Sequence, residues 1–441
     1  MTTRRVPLGG CDRYLLALED YMVSSGQGRH AAVTFLEVGP GFSALVLREA
    51  CLRFAECHPL AGAKLSRGLP GSVPVWKIFP EPSGVEVREH GTGTNIAVLA
   101  GELMDGKWQG LLRFDVVPPA QGPSTVLMSW SHLLFDARGA ELALAEIAGL
   151  SAADGGAPRV RNSWGVPDAA VSGLPDRLRK VRVFVDRYYE LRSRKVMSLS
   201  GPPPARSASR CAFLHFSAEE TSAMRRRAEH LTAGIFVMPY FLAVAMRAHA
   251  AVLESRGRAD SSLECAISAQ CRKRGALDPV WQNQVSQLFF TLDLRQTASL
   301  AVAAVALQEQ FASMTRSGCD AAFLIMVNWM RRLPAFVYRR FLRRTASGQI
   351  TSFYHAYTGT FLAGLRHFCG GEFLDGWHAP SVSQPPGTGL FFSECRGRLT
   401  ISLCWREGTI SAQERGLMLS RLREDLLGAD GCSAALPNAA G

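Results

Sequence analysis

At 441 residues, with 47% apolar and 20% charged side chains, the chain is too long for one simple core and too apolar for a disordered protein. Its net charge of +11, carried mostly by arginine, points to an anionic ligand or partner such as a phosphate-bearing cofactor, an acidic carrier protein or a membrane surface. No zinc, RNP or helix-turn-helix pattern accompanies that charge, so nucleic acid is set aside.

The eleven cysteines include no CxxC pair; the closest are Cys51/Cys57 and Cys265/Cys271, and neither spacing suits a metal knuckle. Most lie in apolar runs such as "CAFLHF" and "ISLCW", where a reduced thiol behaves as a small buried hydrophobe. No metal site is expected. A reducing, cytoplasmic setting is, because the opening "MTTRRVPLGGCDRY" carries no apolar run of signal-peptide length. "AAFLIMVNWM" is the best candidate span, and it is far shorter than the roughly 20 residues a bilayer requires.

In chain order, 41–65 has apolar residues at helical spacing (Leu45, Leu47, Ala50, Leu52, Phe54, Ala55) and closes at "HPL". Residues 73–79 alternate as a strand, and 110–118 and 124–132 read as two strands joined by "PAQGP". "ARGAELALAEIAGL" follows as a helix with Leu142, Ala145 and Leu150 facing inward. From 151 to 210 the composition turns loop-like, then basic. The linker "SLSGPPPARSAS" predicts a lobe boundary near Pro202–Pro204, giving lobes 1–200 and 201–441. The second half opens with a strand, and Ser217 with Glu220 forms a capping-box pattern before helical runs at 218–231 and 235–254. Strands are expected at 263–275 and 286–295, a long helical stretch at 299–345, strands near 351–363, 388–395 and 398–406, and a final helix. Interspersed strands and helices place both halves in the α/β or α+β class.

The chemistry-bearing stretch is "VLMSWSHLLFDARGAELALAEIAGL", residues 126–150. It sets His132 where a strand gives way to a loop and Asp136 just ahead of a helix. An imidazole with an ordinary pKa of about 6.5 can take a proton at neutral pH and return it, as an attack by a hydroxyl or amine on a thioester demands. Asp136 is also a good helix N-cap, and His132 could equally be a satisfied core histidine. Spacing alone leaves both readings open.

These residues resemble the chloramphenicol-acetyltransferase-like superfamily, which includes condensation domains, wax-ester synthases and alcohol acyltransferases. Its signature is HHxxxDG after a strand; here the corresponding residues are Ser131, His132, Asp136 and Ala137. The likeness extends through "LREACLRFAECHPLAGAKL", "FSAEETSAMRRRAEHLTAGIFVMPYFLAVAMRA", "AISAQCRKRG", "NQVSQLFFTLDL" and the C-terminal "QPPGTGLFFSECRGRLTISLCWREG", in the family's order. The resemblance implies a pseudo-dimer of two α+β lobes with a tunnel between them. It implies an acyltransferase in which His132 is the general base and Asp136 a structural acid paired with Arg272, or alternatively Arg274. Ser131, Ala137, Arg138, Gly139 and His355 become candidate substrate-binding residues.

Two departures stand out. Ser131 replaces the motif's first histidine, and Ala137 replaces its glycine, where a Cβ would cost about 1 kcal/mol if the backbone had to be left-handed. The family's DFGWG motif is missing; "FLDGWH" at 373–378 lies too close to the C-terminal hairpin to be equated with it. The implied donor is an acyl thioester, coenzyme A or a phosphopantetheinyl carrier protein, with a small-molecule hydroxyl or amine as acceptor and no bound cofactor. The alternative is a non-catalytic platform that recruits a carrier protein or partner enzyme. The basic, apolar stretch 321–344 adds peripheral membrane contact as a third expectation.

Overall fold

A computed structural model describes the chain except residues 1–2, 70, 80–83, 153–172, 202–205, 233–236, 259, 274, 279, 335, 339, 341–348, 350 and 429–441. Its central sheet has six strands, in the order β12 (His367–Phe368), β13 (Gly371–Pro380), β2 (Ala31–Val38), β7 (Ser124–Ser131), β6 (Leu112–Val117) and β5 (Glu86–Glu89). A second sheet runs β11 (Tyr354–Thr360), β14 (Thr388–Cys395), β15 (Arg398–Arg406) and β8 (Ser209–His215). A long hairpin pairs β9 (Ser262–Gln270) with β10 (Val285–Asp293), and β1 (Arg4–Pro7), β4 (Val75–Ile78) and β3 (Lys64–Ser66) make a small third sheet.

The helices are α1 (Gly10–Ser24), α2 (Ala44–Cys57), α3 (Ile96–Met104), α4 (Ala137–Ala152), α5 (Leu174–Ser193), α6 (Ala218–Leu231), α7 (Val237–Ser255), α8 (Leu300–Ser317), α9 (Cys319–Met330) and α10 (Ala412–Leu427). Local chemistry sets many of their ends. Ser43 caps α2, and Ser217 and Glu220 form the expected capping box on α6. Gly318, at φ 72°, breaks the long stretch expected at 299–345 into α8 and α9.

Strand alternation sorts the central sheet into two faces. On one, Ala32, Leu36, Val126, Met128 and Trp130 pack with Phe54 of α2 and Ala143, Leu144 and Ile147 of α4. On the other, Val33, Phe35, Leu127 and Trp377 share a core with Cys211, Phe391 and Cys404 of the second sheet. The second half adds its own core, in which α7 is buried nearly all round. By length and composition α7 could cross a membrane, yet its side chains are spent on that core. In α9, Phe323, Leu324, Ile325 and Val327 are likewise buried, while Trp329 of the same helix and Leu333 and Phe336 just beyond it are exposed. The rest of the basic stretch, 341–344, lies outside the described residues.

Three sequence expectations need correcting. Ala145 of α4 is exposed, and its inward face is carried by Ala140, Ala143, Leu144 and Ile147; Leu45 and Leu52 of α2 are exposed too. Residues 371–380 form a strand that the sequence reading did not anticipate. That strand, β13, leaves the second half and pairs antiparallel with β2 of the first, from Phe373–Val38 to Pro380–Ala32. A cut near Pro202–Pro204, itself outside the described residues, therefore does not divide the molecule into self-contained sheets. Residues 1–200 produced alone are expected to lack a cooperative thermal transition, and co-expression with 201–441 to restore one; calorimetry of the fragment and the pair checks this.

Candidate active site

Beyond the Ala31–Ser131 pair that ends the β2–β7 ladder, one further residue on each strand stays in register. His132 N–H donates to His30 O at 3.0 Å, and the two rings stack with centroids 4.7 Å apart and planes at 16°. Alternation puts His30 and Thr34 of the β2 segment, Trp130 and His132 of the β7 segment, and His378 of β13 on one face. Trp130 Nε1–H donates to Thr34 Oγ1 at 3.2 Å, and the same hydroxyl is hydrogen-bonded to His378 Nδ1 at 2.9 Å.

The turn carrying His132 is stitched to residues 281–284 of the second half. Gln282 N–H donates to Leu134 O at 2.8 Å, and Asn283 Nδ2 donates to His132 O at 2.8 Å. Asn283 is itself anchored: its backbone N–H and its Nδ2 both donate to Asp12 Oδ1 at 2.9 Å. Asp12 also caps α1, accepting from Gly9 N at 3.0 Å.

Asp136 holds the far end of the turn, and it is both helix cap and ion-pair partner. Its Oδ1 accepts from Gly139 N in the first turn of α4, and its Oδ2 accepts from Gln284 N, each at 2.8 Å. Arg272 Nη1 donates to both oxygens at 2.8 Å, with side-chain exposures of only 2% for Arg272 and 6% for Asp136. With four hydrogen bonds on it, the carboxylate is fully engaged in holding structure. Arg274, the alternative partner, lies outside the described residues.

His132 is half-buried, and of its two ring nitrogens Nδ1 is the one sequestered without a partner from another residue. Its basicity is pulled below the ordinary imidazole value. Burial is the main cause, opposed by the residue's own carbonyl, the Asp136 charge and the Asn283 amide. The ring is therefore uncharged at neutral pH, the state a proton acceptor needs. With Nδ1 sequestered, Nε2 is the ring nitrogen left to accept a proton. Burial also pulls His30 well below its ordinary value, with His132 and Arg406 adding to the effect, and pulls His378 down to about 3.

Several candidate substrate-binding residues are placed elsewhere. Ser131 is buried on the opposite sheet face from His132, paired with Ala31, so it cannot share a pocket with the ring. Ala137 opens α4 without a positive φ, so the missing glycine costs nothing there. The crowded position is Gly139, where an added Cβ would lie 2.4 Å from Val280 O and 2.6 Å from Phe135 Cβ; it is a packing glycine. Arg138 pairs with Glu141 at 2.6 Å and, with Leu142, Leu362, Arg366 and His367, lines a cleft of about 500 Å³ on the outer side of α4. His132 does not line that cleft. His355 is a core histidine of the second half: Nδ1 meets Leu390 O at 3.0 Å, the ring abuts Phe392, and burial pulls its pKa down to about 3.

Sequence reading missed His30, Asp12 and Asn283. The start of "HAAVTFLEV" signals a strand but not which strand lies beside it, and Asn283 sits in a stretch quoted for resemblance without a role.

No protein-family model and no curated protein matches the sequence. The solved structures define the class: the chain has the chloramphenicol-acetyltransferase-like fold of condensation domains and an O-acetyltransferase. It is similar to the trichothecene 15-O-acetyltransferase of Fusarium sporotrichioides, with a TM-score of 0.73 at 12% identity over 96% of this chain and 95% of that one. It is also similar to the first condensation domain of the CDA synthetase (TM-score 0.63, 16% identity, 98% and 99% covered). A third likeness is polyketide synthase associated protein 5 from Mycobacterium tuberculosis (TM-score 0.65, 11% identity, 96% and 99% covered).

Breaking a buried ion pair strands a charge, which costs about 3–5 kcal/mol. Asp136→Asn and Arg272→Met are each expected to destabilise by that order, and the double variant by less than the sum, as read by urea unfolding. Gly139→Ala, forced against backbone, is expected to cost about 1–3 kcal/mol in the same assay.

Proposed function

We propose that the protein is an acyltransferase that moves an acyl group from a thioester to a hydroxyl or amine, with His132 as the general base. The observation that carries this reading is the uncharged, half-buried imidazole at the end of β7, held by Asn283 on its carbonyl and by the Asp136–Arg272 clamp on its turn. A fold shared with an O-acetyltransferase and with condensation domains supports it.

In this mechanism the acceptor O–H or N–H gives its proton to Nε2 of His132 as its heteroatom attacks the thioester carbonyl. The tetrahedral adduct then collapses, the C–S bond breaks, and the imidazolium returns the proton to the departing sulfur. Acceptor plus thioester thus becomes ester or amide plus free thiol, and no metal or organic cofactor is called for. Asp136 takes no part in the proton transfer, because its oxygens are filled by Gly139, Gln284 and Arg272. The net charge of +11 suits an anionic donor, coenzyme A or an acidic phosphopantetheinyl carrier protein.

Thiol release from a panel of acyl-coenzyme A and acyl-carrier donors, with alcohol and amine acceptors, tests the reading. His132→Ala is expected to lower turnover by ~10²–10⁴ while leaving the melting temperature near that of the parent. Transfer undiminished in that variant, or absent from the parent across the panel, would end the mechanism. The sign of the pH dependence follows from the depressed basicity. The neutral base is regained as pH rises through the His132 pKa, so the acid limb of kcat/KM is expected below about 6.5, with the base already competent at pH 7.

A further inference from the structure

Ser131 leaves no imidazole beside His132 in sequence, but the fold supplies one from the neighbouring strand. His30 is only 8% exposed, and its position is fixed at both backbone ends: its N–H donates to Glu19 Oε2 at 3.2 Å, and its carbonyl accepts from His132 N at 3.0 Å. Its ring covers one face of the His132 ring at 4.7 Å and 16°, while Trp130 stands against that ring at 5.1 Å, tilted by 55°. Nδ1 of each histidine is sequestered with no partner from another residue. No hydrogen bond to Nδ1 therefore fixes the plane of the His132 ring, and the χ2 torsion of histidine is otherwise soft.

We propose that His30 is a positioning residue for the base: by stacking flat on His132 it fixes the plane of that imidazole and keeps water off its covered face. This rests on the reading of His132 as the general base. The flatness of the partner is what counts. A flat ring restrains rotation about χ2, which an aliphatic side chain filling the same space does not. The charged and titratable groups around the two rings fit an uncharged stack. Glu19 of α1 is turned to the His30 backbone, and Asp12 is taken up by Asn283 and Gly9. Asp136 is taken up by Arg272, and His378 is tied to Thr34. Arg406 of β15 pairs with Asp105 at 2.9 Å. No carboxylate among them meets the His30 ring, so a second proton has nowhere favourable to sit.

The test compares His30→Phe, His30→Leu and His30→Ala in the full chain. Two readouts are taken well below the melting temperature: kcat and KM for a thioester–acceptor couple, and NMR titration of the His132 ring in histidine-labelled protein. The phenylalanine variant, which keeps a flat ring, is expected within about threefold of the parent in kcat. The leucine and alanine variants are expected to lose 10- to 100-fold in kcat with KM changed less than twofold, the scale of a misplaced catalytic group. In the alanine variant the His132 titration midpoint is expected to rise toward the ordinary value as water enters, and in the phenylalanine variant to stay put. Equal kcat in the phenylalanine and leucine variants, or an unmoved midpoint in alanine, would overturn the proposal. Should alanine fail to fold, the phenylalanine–leucine contrast still decides. The NMR readout needs no turnover, so a parent without transferase activity would sink the functional reading while leaving the effect of the stack on the His132 ring measurable.

Discussion

One buried carboxylate joins the parts of this molecule that build the candidate site. Asp136 receives hydrogen bonds from the first turn of α4, from Gln284 at the foot of β10, and twice from Arg272 beyond the end of β9. Taking two charges out of water is costly, and attraction offsets the cost only when the remaining lone pairs are satisfied. Here each carboxylate oxygen has two donors. The consequence is geometric: the turn from Leu133 to Phe135 cannot move without breaking a fully satisfied buried pair, so the position of His132 is inherited from Asp136. The same residue is at once the N-cap of α4 and the ion-pair partner of Arg272.

Around that anchor, burial does the electrical work. It depresses His132, but it also depresses His249 to about 4 and His355 and His378 to about 3, so a low pKa by itself marks no site. His249 and His355 are bound to backbone carbonyls inside the second core, and His58 bridges Trp281 and Glu146 inside the first. His132 differs in its partial exposure and in having its carbonyl, rather than its ring, tied to the network through Asn283 and Asp12. That leaves a ring nitrogen uncommitted, as a proton acceptor must be.

The crossing strand β13 explains how two halves can hold such a site. It extends the sheet that carries His30 and His132, while Trp377 packs in the core shared with the second sheet. The halves are thus joined by a hydrogen-bonded ladder and by common apolar packing, and the distance between β7 and residues 281–284 is set by rigid elements.

Local physics made much of this readable from sequence. Alternation marked β4, a turn-rich joint marked β6 and β7, capping chemistry marked α6, and the order of degenerate motifs marked the fold class. His132 and Asp136 could be singled out because a strand end and a helix start each leave a local trace, whereas Arg272, with Arg274 as the alternative, came from the family resemblance. Strand neighbours leave none: which residues face each other across a ladder depends on register between segments distant in the chain. Only the folded chain put His30 of β2 against His132, sent β13 into the other half's sheet, turned Ser131 to the far face and buried His355 in a core. The sequence by itself determined the fold class and a short list of polar residues; tertiary structure decided which of them share one face, because that is a matter of pairing, not of period.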